Sequence, residues 1–229
     1  KGSHHIPEDY VSCGVKGATL WQSENDRKQP SKLDITSIAE EALASVSQLL
    51  AFEPQRNIHF VVYESLDDSW QALARRVPPS FLMAPLHTSE TAVIVLHSAH
   101  LDPRNHDEPR VFRHLCHEVT HVCNAERTAS TKRLGDGDAG MGIRPWVDEG
   151  FAECVANEVA SRSDAFSQAL AVQDVDVGST DMIDSELRAL NSSKRAWAFQ
   201  VATSQVLQAI HRHSYRFVFN NLENPHLWA

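Results

Sequence analysis

The chain has 229 residues, 42% hydrophobic and 22% charged, which is enough apolar material to bury a core without staples. Its net charge of −9 disfavours non-specific binding to nucleic acid or to an anionic membrane surface. The longest apolar run, Ala92–Leu96, is far too short to span a bilayer, so no membrane span is expected.

The amino terminus carries no secretory signal and no initiator Met, so secreted and cytoplasmic locations both stay open. Lys1–His5 is a cloning remnant or a native end and is set aside from site reasoning. Residues 1–30 are polar, and Gly14, Gly17 and Pro30 break any pattern. They are expected to form an extended leader draped over a single domain at 31–229.

From Asp34, a plausible N-cap, the residues Ile35, Ile38, Ala42, Val46 and Leu49 recur at helical spacing. Asn57–Tyr63 is rich in β-branched and aromatic residues and reads as a strand. Ser65 to Arg76 reads as a helix ended by Pro78 and Pro79, and Thr91–His97 as a second strand. After a polar loop at 101–109, a helix runs from Glu108 or Pro109 to Glu126. Thr128 to Arg144 is polar and holds Gly135, Gly137, Gly140 and Gly142, the composition of a mobile loop. It reads as a lid over a cleft or as a tolerated surface insertion. Pro145 suits the first position of a helix reaching about Ser161. Residues 171–184 look acidic and loop-like, and a last helix is expected over Ser193 to His211. Strands first and helices later argue for an α+β fold: a lobe with a sheet at about 31–127 and a mainly helical lobe at about 145–229.

The four cysteines are Cys13, Cys116, Cys123 and Cys154. Cys116 and Cys123, seven apart on one helix, lie roughly 10 Å from each other, beyond disulfide reach. No CxxC pair is present, which argues against a cysteine cage for a metal. Buried free thiols are expected, with a bridge from Cys154 or Cys13 left open.

The stretch Arg113–Asn124 reads RHLCHEVTHVCN and contains HExxH. On a helix, His117 and His121 share a face and can offer nitrogens to one metal ion. Glu118, about 100° round, can reach a water on that ion. Because the chain has 13 histidines, the match needs a third ligand in context before it carries weight. A metzincin continuation would need Gly and His where Asn124 and Arg127 stand, so it is excluded. Downstream, Trp146-Val-Asp-Glu-Gly-Phe-Ala-Glu153 lies on a predicted helix.

HExxH followed by W-x-x-E-G-x-A on a later helix resembles the gluzincins, the thermolysin-like and aminopeptidase-N-like zinc metallopeptidases. The resemblance is close over 113–160. It implies a zincin-like α+β fold, with a small sheet packed on the HExxH helix and a mainly helical second lobe. It implies one catalytic Zn2+ held by His117, His121 and Glu149. Glu153, four residues on, would orient a zinc histidine; the swapped assignment, Glu153 as ligand and Glu149 behind it, also stays open. It further implies Glu118 as general base and a Tyr or His as oxyanion donor in the second lobe. The matching stretch holds His211, His213 and Tyr215, with Tyr215 preferred and His213 second. The same stretch also reads as the frayed polar end of the last helix. Small relatives often carry a Tyr near the start of that helix, where this chain has Trp197.

The family's fold would put the Val93–Leu96 strand at a sheet edge beside the cleft, where an extended peptide can pair. An ordinary core strand fits those residues equally. The G-x-M-E-N segment of the aminopeptidase branch is absent, which favours an endopeptidase or a narrowly specific peptidase acting on a peptide or protein. The upstream cysteine motif of the peptide deformylases is absent too. The alternative is a zinc-bearing binding or scaffold domain without turnover; retention of Glu118 argues against it. Among other residues, His114 reads as a solvated helix position, and His97, His100 and His106 as bystanders. Arg110 and Arg113 read as charges that balance an acidic surface.

Overall fold

The computed structural model describes residues 10–23, 33–63, 83–87, 91–104, 107–128, 143–162, 180–189 and 193–228. The expected helix at Ser65 to Arg76 and nearly all of the Gly-rich loop lie outside those residues. The architecture is mixed α+β.

A five-stranded sheet runs in the order β1 (Tyr10–Val15), β2 (Ala18–Ser23), β3 (Asn57–Tyr63), β5 (Thr91–His97), β4 (Met83–His87). β2, β3 and β5 are parallel, and β1 and β4 close the two sides antiparallel. Helix α1 (Ile35–Leu50) provides the crossover that parallel β2 and β3 require. Asp34 caps it, accepting from the Thr36 and Ser37 N–H groups at 3.2 and 3.4 Å.

Strand alternation sorts the side chains. Ile58, Phe60, Val62, Ile94 and Leu96 face the main core, while Val61, Val93 and Val95 form a smaller cluster on the other face. The main core is completed by α1 and by α2 (Glu108–Arg127), which pack on each other. Asp107 caps α2 by accepting the Arg110 N–H at 3.1 Å, and Pro109 sits in the first turn, where its missing donor costs nothing.

Then follow α3 (Pro145–Ser161), α4 (Thr180–Arg188), α5 (Arg195–His213) and α6 (Tyr215–Asn220). α2 packs on α3, α3 on α5, and α4 against both α3 and α5. Among the described residues no helix is long and apolar enough to cross a membrane.

Four expectations are corrected. Residues 10–23 of the supposed leader are a hairpin that joins the sheet; Gly17, at φ 84°, supplies a turn conformation that side chains other than glycine resist. The Val93–Leu96 strand is interior, and β4 holds the edge. The end of the acidic loop is helical from Thr180, because Ile183 and Leu187, four apart, are buried on one face. The last long helix starts and stops two residues later than expected, at Arg195 and His213, and α6 follows it.

Candidate metal centre

Helix α2 is buried on nearly all sides, so its polar face opens onto another helix and not onto water. That partner is α3, and two contacts fix its first turns. Its N-cap position, Arg144, provides no side-chain cap. Asp184 of α4 serves instead, accepting the Trp146 N–H at 2.9 Å and the Arg144 Nε–H at 3.0 Å. A carboxylate there also meets the positive end of the helix dipole. One face further round, a Cβ on Gly150 would lie 2.5 Å from the Ala202 carbonyl oxygen. Only glycine lets α5 come this close. Trp146 is buried edge-on to Trp228, at 5.4 Å between ring centroids. The W-x-x-E-G segment is thus an anchor, an acidic residue and a helix contact, each on its own face.

The acidic residue meets the two histidines. His117 Nε2 and His121 Nε2 are 3.1 Å apart, and Glu149 Oε2 lies 3.3 and 3.5 Å from them. These three residues form the one group among the described residues able to hold a metal ion. For a cation with bonds of about 2.0–2.2 Å, the edges of a coordination tetrahedron are about 3.3–3.6 Å. The observed triangle is close to one face of it. Two imidazole nitrogens this near each other also need a shared cation or a proton between them.

The rings are held from behind. His121 Nδ1 lies 3.0 Å from Asp148 Oδ2, and His117 Nδ1 lies 3.3 Å from Glu153 Oε2. Each Nδ1–H donating to a carboxylate leaves Nε2 with its lone pair facing the centre. Asp148 also accepts from Asn124 Nδ2 at 2.7 Å. Glu153 accepts from Arg113 and from Asn157 Nδ2.

The charges are strongly coupled. Burial alone would lower the His117 pKa, but hydrogen bonds to Glu149 and Glu153 outweigh it and hold it at about 9. His121 is likewise driven well above its ordinary value against burial, through Asp148 and Glu149. Burial would raise the two carboxylates, yet Glu149 falls far below the usual range beside His121 and His117, and Glu153 falls to about 2 beside His117 and Arg113. The centre therefore attracts positive charge, as protons or as a metal ion.

Glu118 behaves oppositely. It is 6% exposed, its Oε2 has no hydrogen-bond partner, and burial pushes its pKa up to about 7, against the pull of His117 and His121. A carboxylate with a spare oxygen and a pKa near neutrality suits proton transfer.

His117, Glu118, His121, Glu149 and Glu153 are thus together, with Glu149 inside the triangle and Glu153 behind His117. Tyr215 and His213 are not with them. Tyr215 donates to the Cys154 carbonyl at 3.3 Å and leans on Phe151, and burial raises its phenol. His213 is exposed and stacks on Phe217 at 4.6 Å. The oxyanion role expected of either residue is matched by no contact to the triangle: the Tyr215 hydroxyl is on the Cys154 carbonyl and the His213 ring is on Phe217. Trp197 is half-buried against the main core.

Sequence reasoning missed Asp148. Its signal was arithmetic: two imidazoles need two orienting acceptors, and Glu153 is one. It also misread Arg113, which is a half-buried partner of Glu153 and Asn157 and not a surface charge. His114 is half-buried and not solvated. Burial, then the Arg113 charge, lowers its pKa to about 3, so it stays neutral. Cys13, Cys116, Cys123 and Cys154 are all free, and burial raises the thiols of the last three. No family model matches the chain, and neither does any curated protein.

Proposed function

We infer that the chain is a zinc-dependent peptidase of gluzincin type, hydrolysing peptide bonds as an endopeptidase or a narrowly specific peptidase. The observation that carries this reading is the pairing of a His117–His121–Glu149 triangle with a buried Glu118 whose Oε2 is unpartnered. The donor set of two nitrogens and one oxygen suits zinc, and three protein ligands leave a position for water. A purely structural ion would call for a fourth protein ligand and would have no use for Glu118.

His117, His121 and Glu149 would hold the ion, which when bound supplies Lewis-acid polarisation of a carbonyl and an acidified water. Glu118 takes the proton of the attacking water on its free oxygen. It then carries that proton to the leaving amine. Asp148 and Glu153 keep both imidazoles in the tautomer that presents Nε2. β4 packs on α2 and forms the sheet edge on that side, which offers backbone groups to an extended substrate.

The position of Tyr215 favours a second reading, a zinc-bearing binding domain without turnover. Glu118→Gln separates the two. It keeps the shape and removes the base, so peptide hydrolysis should fall by at least about 100-fold with zinc content unchanged. Equal cleavage of a peptide library by wild type and E118Q would sink the catalytic reading.

A further inference from the structure

Arg113 lies one helical turn before His117 on α2, with its side chain 15% exposed. Its guanidinium works as a fork. One Nη2–H donates to Glu153 Oε1, and Nε–H donates to Asn157 Oδ1 at 2.9 Å. Asn157 closes the ring: its Nδ2 donates to Glu153 Oε1 at 3.1 Å and to the Glu153 carbonyl at 2.8 Å. Oε1 of Glu153 therefore has two donors, while Oε2 faces His117 Nδ1 at 3.3 Å. A glutamate side chain has three torsions and gains freedom when unpaired. Two fixed donors on one oxygen remove that freedom and decide where the other oxygen points.

We propose that Arg113 is a positioning residue of the metal centre, acting through Glu153 Oε1 to hold Oε2 on the back of His117. This rests on the metal-site reading above. An ordinary clamp between α2 and α3 would need the same charges but would leave metal binding untouched. The ring here ends on a ligand's own ring nitrogen, so its loss should reach the metal.

The test is zinc affinity of the metal-free full chain, measured by competition with a chromophoric chelator. Arg113→Gln should weaken zinc binding by about 10- to 100-fold, the range for lost partners behind a ligand. Its visible cobalt(II) spectrum should shift as well, which a loss of fold stability alone would not cause. E153Q should lose a similar amount. The double variant R113Q/E153Q should bind no more than about threefold worse than E153Q, because both changes break one chain of contacts. R113Q affinity within about twofold of wild type, or losses that multiply in the double variant, would overturn the proposal. Wild type that binds no zinc would overturn the metal-site reading and this inference with it. Should R113Q fail to fold, R113K carries the test. Lysine is a point charge that cannot hold both acceptors in one plane. Weaker zinc binding by R113K supports the proposal, and wild-type affinity overturns it.

Discussion

The two imidazole arms of the centre do the same job with different parts. His121 is backed by Asp148, one residue before Glu149, and Asp148 is steadied by the neutral amide of Asn124. His117 is backed by Glu153, four residues after Glu149, and Glu153 is steadied by the cation of Arg113. The first pair carries a net negative charge, and the second is neutral. The shorter acid stands at 3.0 Å and the longer one at 3.3 Å. The arms differ in the charge behind each ring, and His121 has the shorter contact to its acid.

Both metal-free imidazoles have raised pKa values, so at pH 7 each holds a proton that a metal ion must displace. Zinc affinity should therefore rise with pH, by up to about 100-fold per unit while two protons must leave. Titration of the metal-free His117 ring by NMR should show its proton lost near 9. The linked stability has the same sign. A raised His117 pKa stabilises the metal-free fold fully below 6.5, and that contribution is lost as pH rises through about 9. The depressed Glu153 works at the other end, its contribution present above 4.5 and lost as pH falls towards about 2. A melting temperature of the metal-free chain that stays flat from pH 6.5 to 10 would contradict this.

Removing the backing acids sharpens the contrast directly. D148A and E153A should each weaken zinc binding by about 10- to 100-fold, with D148A the larger loss. Equal losses in competition titrations would erase the distinction between the arms.

The smallest effect is expected about 100° round α3, where Gly150 meets α5. Gly150→Ala puts a methyl group against the Ala202 carbonyl and should cost about 1–3 kcal/mol, a drop of several degrees in Tm. Its zinc affinity should stay near wild type, because the change faces α5 and not the imidazoles. A large loss of zinc with little change in Tm would mean that the two faces of α3 are not independent.

Much of this centre was legible before any fold was known. The i, i+4 spacing of His117 and His121 is set by the helix itself, as is the step to Glu118. The W-x-x-E-G segment marked Glu149, and its glycine proved to be the contact with α5. Arg113, Asp148 and Asn157 were not legible in the same way. Each is an ordinary polar residue on its own helix and acquires a role only when α2 lies against α3. The hairpin at 10–23 was hidden for a related reason: a Lys-Gly turn is a weak signal, and β3 supplies the pairing partner for β2 from 40 positions away. Tyr215 was less legible: its place in the sequence suggested a catalytic donor, and the fold sets its hydroxyl on the Cys154 carbonyl of α3.

The sequence by itself determined α1, α2, α3, α5, β3 and β5 and the acceptor-rich helix face, because helical periodicity, strand composition and capping act over a few residues. Only the tertiary structure decided which carboxylate faces which ring, which cation supports it, and which oxygen of Glu118 is left free. Those choices depend on distances between separate helices, and packing sets them within a few tenths of an ångström.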